Sequence, residues 1–237
     1  MLDSGTRRLA PGARLVFEHS ASGTRRRMNL PNALSAARIA VTPLIAALPF
    51  AESWPLRLTA FFLFLAAAIT DYIDGFLARS RKQETDLGRL LDPAADKALL
   101  IGTMIPMYML APRFPFVTPV GNVGLSGWVV AVVIGREVFM TVFRQAAKRR
   151  GVVIAAIGPA KWKTALQLIW QGAAYFWFFA ATLAADKDWN TSAWRALAMF
   201  NGTVGALMMV GAVLLTVYSL ALYLRSFGSV FATSPSR

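Results

Sequence analysis

Long apolar runs alternate with short polar segments along most of the chain. The apolar runs fall at positions 34–50, 58–78, 90–111, 128–143, 165–185 and 194–224. Each is close to the length that an α-helix needs to cross a bilayer, although the first and fourth are short and the sixth is long enough to tilt. The pattern therefore predicts an all-α fold, an integral membrane bundle of six transmembrane helices.

The polar residues at the two ends of the chain define the predicted domain organisation. We predict a basic tail at 1–28 that is partly disordered or forms a juxtamembrane helix, a membrane domain at 29–226, and a short tail at 227–237. With 56% hydrophobic residues, a single membrane domain accounts for the whole length. No internal repeat or second soluble domain is visible in the sequence.

The net charge of +13 would suggest a nucleic-acid partner in a soluble protein. Here most Lys and Arg residues fall in the tails and in the loops on the same side, whereas the other side holds only Arg57, Arg113, Lys187 and Arg195. This asymmetry predicts that both termini face the cytoplasm. We therefore expect a multi-pass protein of the cell inner (plasma) membrane that has no nucleic-acid partner. A basic cytoplasmic face also favours anionic lipid headgroups.

Four aspartates interrupt the apolar pattern between the second and third runs. Asp71 and Asp74 are three positions apart, and Asp92 and Asp96 are four apart, so each pair lies on one face of its helix. Ionised side chains near a bilayer are costly unless something neutralises them. Carboxylates suit Mg²⁺ or Mn²⁺, and a pair of such ions can stabilise a phosphoryl displacement. The absence of cysteine excludes a thiolate site, and the single histidine, His19, lies in the basic tail.

The four aspartates have two other interpretations. In a solvated loop they would pair with Arg79, Arg89 and Lys97, but a loop does not need helical spacing in both pairs. In a membrane transporter or divalent-ion channel, acids line a pathway through the bilayer. A pathway predicts acids spread along the depth of the membrane, whereas these cluster at one rim. An enzyme with a carboxylate metal site is the favoured interpretation.

The same residues carry a resemblance to a known family. The pattern D-x2-D-G-x2-A-R-x8-G-x3-D-x3-D is met at every fixed position, namely Asp71, Asp74, Gly75, Ala78, Arg79, Gly88, Asp92 and Asp96. It resembles the signature of the CDP-alcohol phosphatidyltransferases, integral membrane enzymes of phospholipid synthesis. The resemblance implies that the four aspartates hold two Mg²⁺ or Mn²⁺ ions, that Asp96 is also the general base, and that the enzyme is a homodimer.

The resemblance also implies a binding site for the CDP-linked lipid. It places this donor against six residues: Asn32, Arg38, Gly75, Ala78, Arg79 and Thr85. Small residues let a ring or a phosphate approach the backbone, and an arginine fork suits diphosphate oxygens. For Asn32 and Arg38 the alternative is a helix cap and a snorkelling arginine near the start of the first helix.

A second basic group precedes and opens the fifth predicted helix. Gly158-Pro159 is typical of a chain that ends one element and begins a helix. Lys161 and Lys163 therefore fall in the first turns of the fifth helix, where the helix dipole disfavours cations unless an anion binds. With Arg136 and Arg144 they are candidate ligands for an acceptor phosphate; the alternative is positive-inside loop charge.

The regions that flank the signature resemble the branch of the family that transfers the phosphatidyl group of CDP-diacylglycerol to glycerol 3-phosphate, which gives phosphatidylglycerol phosphate and CMP. This resemblance covers most of residues 29–225, and it departs in the long basic tail and at Pro159-Ala160. The alternatives within the family are cardiolipin synthase, phosphatidylinositol phosphate synthase and phosphatidylserine synthase.

Overall fold

A computed structural model of the chain describes residues 30–81, 86–150 and 159–227. This part of the chain forms six α-helices, each of which overlaps one predicted run: α1 Leu30–Ala47, α2 Trp54–Arg81, α3 Asp86–Leu110, α4 Gly127–Arg149, α5 Pro159–Asp186 and α6 Ser192–Phe227. A 3₁₀ turn at Leu48–Phe50 prolongs α1. The helical fold is confirmed, and α5 begins at the predicted proline. The predicted tails lie outside the described residues, apart from Phe227.

Four helices are long and apolar enough to cross a membrane. These candidate spans are Asn32–Phe50, Trp54–Asp71, Trp162–Asp186 and Ser192–Ser226. The helices α3 and α4 do not meet this hydropathy criterion, and they are the helices that carry Asp92, Asp96, Arg136 and Glu137. The count of six spans and the cytoplasmic orientation of the termini therefore stay predictions.

A short hairpin between α3 and α4 was not predicted. Strands β1 Phe116–Thr118 and β2 Gly121–Val123 pair antiparallel. Gly121 has a φ of +116°, which favours glycine, and the Thr118 hydroxyl donates to its carbonyl at 2.6 Å. Strands of three residues are too short to show an alternating pattern in the sequence. The described part of the chain is therefore all-α except for this hairpin. We call the end of the bundle that carries the hairpin the hairpin end, and the opposite end, where α3 begins, the carboxylate end.

The hairpin packs against two glycines of α6, Gly202 and Gly205. A Cβ atom at Gly202 would lie 2.1 Å from the Val117 carbonyl oxygen, and one at Gly205 would lie 2.5 Å from the Phe116 ring. Glycine is therefore required at both positions for β1 to contact the helix, which is the packing of small residues seen between membrane helices.

Replacing Gly202 by Ala is expected to destabilise the protein by about 1–3 kcal/mol, because the new methyl group meets backbone that cannot rotate away. Thermal unfolding in detergent measures the change. Gly135→Ala is the matched control: a Cβ there meets nothing within 4 Å, so helix propensity alone predicts equal or higher stability. Equal melting temperatures for the two variants would show that the hairpin does not contact α6 in this way.

Aromatic and polar contacts join the helices in the core. Phe64 of α2 stacks on Tyr175 of α5 with ring centroids 5.3 Å apart, and the Tyr175 hydroxyl donates to the Ile45 carbonyl of α1 at 3.1 Å. At the hairpin end, the buried Arg57 donates its Nε to the Pro49 carbonyl at 3.0 Å and lies 4.6 Å from the centre of the Phe114 ring. These contacts fix α1, α2 and α5 relative to one another.

Candidate active site

The carboxylates of α2 and α3 meet at a buried arginine of α1. Arg38 Nη1 donates to Asp71 Oδ1 at 2.5 Å and to Asp96 Oδ1 at 3.1 Å. The Arg38 side chain is 1% exposed, whereas those of Asp71 and Asp96 are 37% and 58% exposed. The cation therefore lies behind the carboxylates, which keep oxygen atoms open to solvent or to a ligand.

One helical turn before Arg38, α1 also contacts the remaining aspartate of α3. The buried Ser35 donates its hydroxyl to Asp92 Oδ1 at 2.5 Å. Since Ser35 and Arg38 are three residues apart, they lie on the same face of α1. This face holds Asp92 and Asp96 side by side, and the carboxylates of Asp71 and Asp96 are within hydrogen-bonding reach of each other.

The chemistry of these groups fits a hard divalent cation. The site offers carboxylate and hydroxyl oxygens, the donors that Mg²⁺ and Mn²⁺ prefer. Among the residues whose side chains are described, no group of three or more acids, histidines or cysteines is arranged to hold a metal ion. Asp74 lies on α2 one turn after Asp71, but its side chain is outside the described residues. The aspartates lie on helices, Asp71 and Asp96 contact Arg38, and Asp92 contacts Ser35, which disfavours the solvated-loop interpretation.

A close contact between α1 and α3 sets the position of this site. A Cβ at Gly102 of α3 would lie 2.6 Å from Thr42 Cγ2 of α1. Thr42 has little freedom to move, because it is buried and its hydroxyl donates to the Arg38 carbonyl at 2.7 Å. Gly102 therefore lets the two helices approach at the depth that aligns Ser35 with Asp92 and Arg38 with Asp96.

Gly102→Ala is expected to lower kcat/KM by roughly tenfold or more, because separating α1 from α3 misplaces the carboxylates. Thr42→Ser removes the obstructing methyl group and keeps the hydroxyl, so the double variant G102A/T42S should recover most of the activity. Steady-state kinetics of the single and double variants measure both effects. Equal activity of the two variants would show that this contact does not position the site.

A second polar cluster joins α4, α5 and α6 toward the carboxylate end. Arg136 Nη1 donates to Glu137 Oε1 at 2.7 Å, Arg136 Nη2 donates to Ser219 Oγ at 3.2 Å, and Lys163 donates to the same Glu137 oxygen. Arg136 and Lys163 are both buried. The structure thus brings two predicted phosphate ligands together around an acid that the sequence interpretation missed. The signal was an acid in an apolar helix, next to a candidate arginine.

The other predicted site residues fall into two groups. Arg144 lies two turns after Glu137 on α4 and donates to the Tyr223 hydroxyl of α6 at 3.2 Å, and Asn32 is buried near the start of α1. The side chains of the remaining candidates lie outside the described residues: Gly75, Ala78 and Arg79 on α2, Thr85 between α2 and α3, and Lys161 on α5.

An open groove of about 770 Å³ lies at the opposite end of the bundle. It is lined by Trp177, Trp189 and Trp194, together with alanines of α5 and residues of α6 and β1. Tryptophans are typical of the membrane–water interface, where their rings lie at the level of the headgroups. We interpret this groove as part of an aromatic belt, separate from the carboxylates.

Comparison with known proteins adds independent information. A family model described as CDP-alcohol phosphatidyltransferase matches residues 28–224. The chain is 32% identical over 211 residues, 86% of its length, to the Arabidopsis thaliana protein named CDP-diacylglycerol–glycerol-3-phosphate 3-phosphatidyltransferase 1, chloroplastic/mitochondrial, of which it covers 64%. It is 31% identical over 207 residues, 84% of its length, to a rice (Oryza sativa subsp. japonica) protein named cardiolipin synthase (CMP-forming), of which it covers 57%.

A bacterial relative is also similar. The Bacillus subtilis protein named CDP-diacylglycerol–glycerol-3-phosphate 3-phosphatidyltransferase is 34% identical over 155 residues, which is 60% of this chain and 73% of that protein. The chain spans about three fifths of the length of the first plant relatives that it matches.

Proposed function

Because the chain belongs to the CDP-alcohol phosphatidyltransferase family, we propose that it transfers the phosphatidyl group of CDP-diacylglycerol to sn-glycerol 3-phosphate. The products are phosphatidylglycerol phosphate and CMP. The observation that carries this proposal is the convergence of Asp71, Asp92 and Asp96 around Arg38 and Ser35. Carboxylates gathered between helices at one end of a bundle fit a catalytic site better than an ion pathway, whose acids would be spread in depth.

The four aspartates of the signature would hold two divalent cations, Mg²⁺ or Mn²⁺. Three of them are held in place by α1, and Asp74 lies one turn from Asp71 on α2. The bound ions would supply positive charge to the diphosphate oxygens of the donor. Arg38 keeps Asp71 and Asp96 oriented from behind, and Ser35 does the same for Asp92.

The reaction moves one phosphoryl centre between two oxygens. The acceptor hydroxyl oxygen forms a bond to the donor phosphorus that carries the diacylglycerol, and the bond from that phosphorus to the CMP oxygen breaks. Asp96 would take the hydroxyl proton on a carboxylate oxygen, since its side chain is the more exposed of the two that contact Arg38. We propose that Asn32, Gly75, Ala78, Arg79 and Thr85 bind the CDP-lipid, and that Arg38, which the resemblance also places at this site, acts through the aspartates that it holds.

The choice of acceptor rests on the second polar cluster. The named relatives include enzymes for glycerol 3-phosphate and a cardiolipin synthase at nearly equal identity, so identity alone does not choose between them. The buried Arg136 and Lys163, with Arg144 beside them, supply positive charge that a phosphate-bearing acceptor would neutralise. We propose that Lys161 completes this acceptor site. The site would face the cytoplasm from an inner (plasma) membrane, in a homodimer.

The proposal is tested by acceptor comparison with purified protein in mixed micelles that contain CDP-diacylglycerol and Mg²⁺. We expect CMP release with glycerol 3-phosphate, and little with serine, inositol phosphate or phosphatidylglycerol. Removal of divalent ions by EDTA should abolish release, and added Mg²⁺ or Mn²⁺ should restore it. A preference for another acceptor would revise the substrate, and activity insensitive to EDTA would refute the metal site.

A further inference from the structure

Glu137 is an acid in the cluster to which the acceptor phosphate is assigned. Its Oε1 atom accepts hydrogen bonds from both Arg136 Nη1, at 2.7 Å, and Lys163 Nζ. The Glu137 side chain is 23% exposed, whereas Arg136 and Lys163 are 7% and 6% exposed. A single carboxylate oxygen is therefore the shared partner of two buried cations from two different helices.

The charges of this cluster do not balance. Arg136, Lys163 and the nearby Arg144 are positive, and Glu137 is the one acid that the described residues place in contact with the first two. Buried charges are stable only when paired. The buried pair exceeds Glu137 by one positive charge, and the exposed Arg144 adds a second. The sum matches a phosphate monoester dianion, and a neutral hydroxyl acceptor would leave the buried charge uncompensated.

The phosphate and Glu137 need the same donors. Lys163 Nζ and the Arg136 guanidinium are the groups that would bind phosphate oxygens, and Glu137 engages one donor of each. Arg136 Nη2 is directed to Ser219 of α6, and its Nε is buried with no hydrogen-bond partner among the described residues. An anion that binds here must compete with the carboxylate or share its donors.

We propose that Glu137 is an internal counter-ion that competes with the acceptor phosphate for Lys163 and Arg136. This inference rests on the proposed function and explains what sets the affinity of that site for the acceptor phosphate. Glu137 keeps the two cations paired before binding, restricts entry to an acceptor that carries a strong negative charge, and returns to the cations when the phosphorylated product leaves. It is a positioning residue, since the chemistry occurs at the aspartates.

The test is Glu137→Gln, which keeps the shape and removes the charge. We expect the KM for glycerol 3-phosphate and the inhibition constant of inorganic phosphate each to fall about tenfold, the effect of roughly 1.4 kcal/mol. The KM for CDP-diacylglycerol should not change. We also expect kcat to fall, because the product phosphate is held more tightly. Glu137→Asp, which restores the charge, should return the inhibition constant toward the wild-type value.

Thermal unfolding separates this role from a purely structural one. E137Q should melt at a lower temperature than the wild type, since two buried cations lose their partner, but inorganic phosphate should raise its melting temperature by more than it raises that of the wild type. A lower melting temperature with an equal increment from phosphate, or a higher KM, would overturn the inference. Failure of the wild type to use glycerol 3-phosphate would refute the proposed function instead, while phosphate binding would still report on Glu137.

Discussion

Asp96→Asn is expected to lower kcat by roughly 10²–10⁴-fold, the usual contribution of a positioned general base. Asparagine has the same shape and can still accept the hydrogen bond from Arg38 Nη1 through its amide oxygen, so folding should be preserved. It cannot take the proton of the acceptor hydroxyl. CMP release by purified protein at saturating glycerol 3-phosphate measures the loss, and thermal unfolding confirms that the variant is folded.

Two comparisons separate the roles of the carboxylates. If Asp96 is a base as well as a metal ligand, its kcat defect should persist at saturating Mg²⁺. Asp92→Asn should also be strongly impaired, mainly with a higher Mg²⁺ concentration for half-maximal activity. Asp186→Asn is the matched control, because Asp186 pairs with Lys187 at 3.2 Å at the hairpin end and should tolerate the change. An Asp96→Asn enzyme within threefold of the wild type would refute the assignment of the base.

Hydropathy predicted the existence of the helices because each of them contains a long apolar run. It underestimated the length of a helix that ends in charged residues. The fourth run was predicted to end at residue 143, yet α4 continues to Arg149. Its last turn is basic, which the helix dipole favours at a C-terminus although hydropathy falls there. Charged residues within or next to the apolar runs keep α3 and α4 from qualifying as candidate spans, namely Asp96 and Lys97 in α3 and Arg136, Glu137 and Arg144 in α4. A local failure of the hydropathy pattern thus marks two of the helices that carry site residues, whereas α1, α2 and α5 carry theirs within or at the ends of candidate spans.

The spacing of the aspartates predicted which of them share a helix face, but not what they contact. Arg38 and Asp96 are 58 positions apart, and only the packing of α1 against α3 brings them together. Ser35 and Gly102 have no motif of their own, since a serine or a glycine in an apolar run has many possible explanations. Their roles follow from the approach of two helices, which is a tertiary property.

Lys163→Met is expected to raise the KM for glycerol 3-phosphate by roughly 10–100-fold while the KM for CDP-diacylglycerol stays unchanged. Methionine keeps much of the apolar stem in a position that is buried, and it removes the charge that would bind the phosphate. A hydrogen bond between charged groups is worth about 1.5–3 kcal/mol, which corresponds to this range. Steady-state kinetics with each substrate varied in turn measures the two constants.

The contact between Lys163 and the phosphate can be tested by removing the phosphate from the acceptor as well as the charge from the protein. With glycerol, which has no phosphate, the wild type should be slow, and the further loss caused by Lys163→Met should nearly disappear, because the variant removes an interaction that this acceptor does not make. Lys148→Met is the control for a nonspecific effect of charge, since Lys148 is exposed in the last turn of α4. An equal loss with both acceptors would mean that Lys163 supports the fold through Glu137 rather than binding the phosphate, and the acceptor site would then have to be sought elsewhere at the carboxylate end.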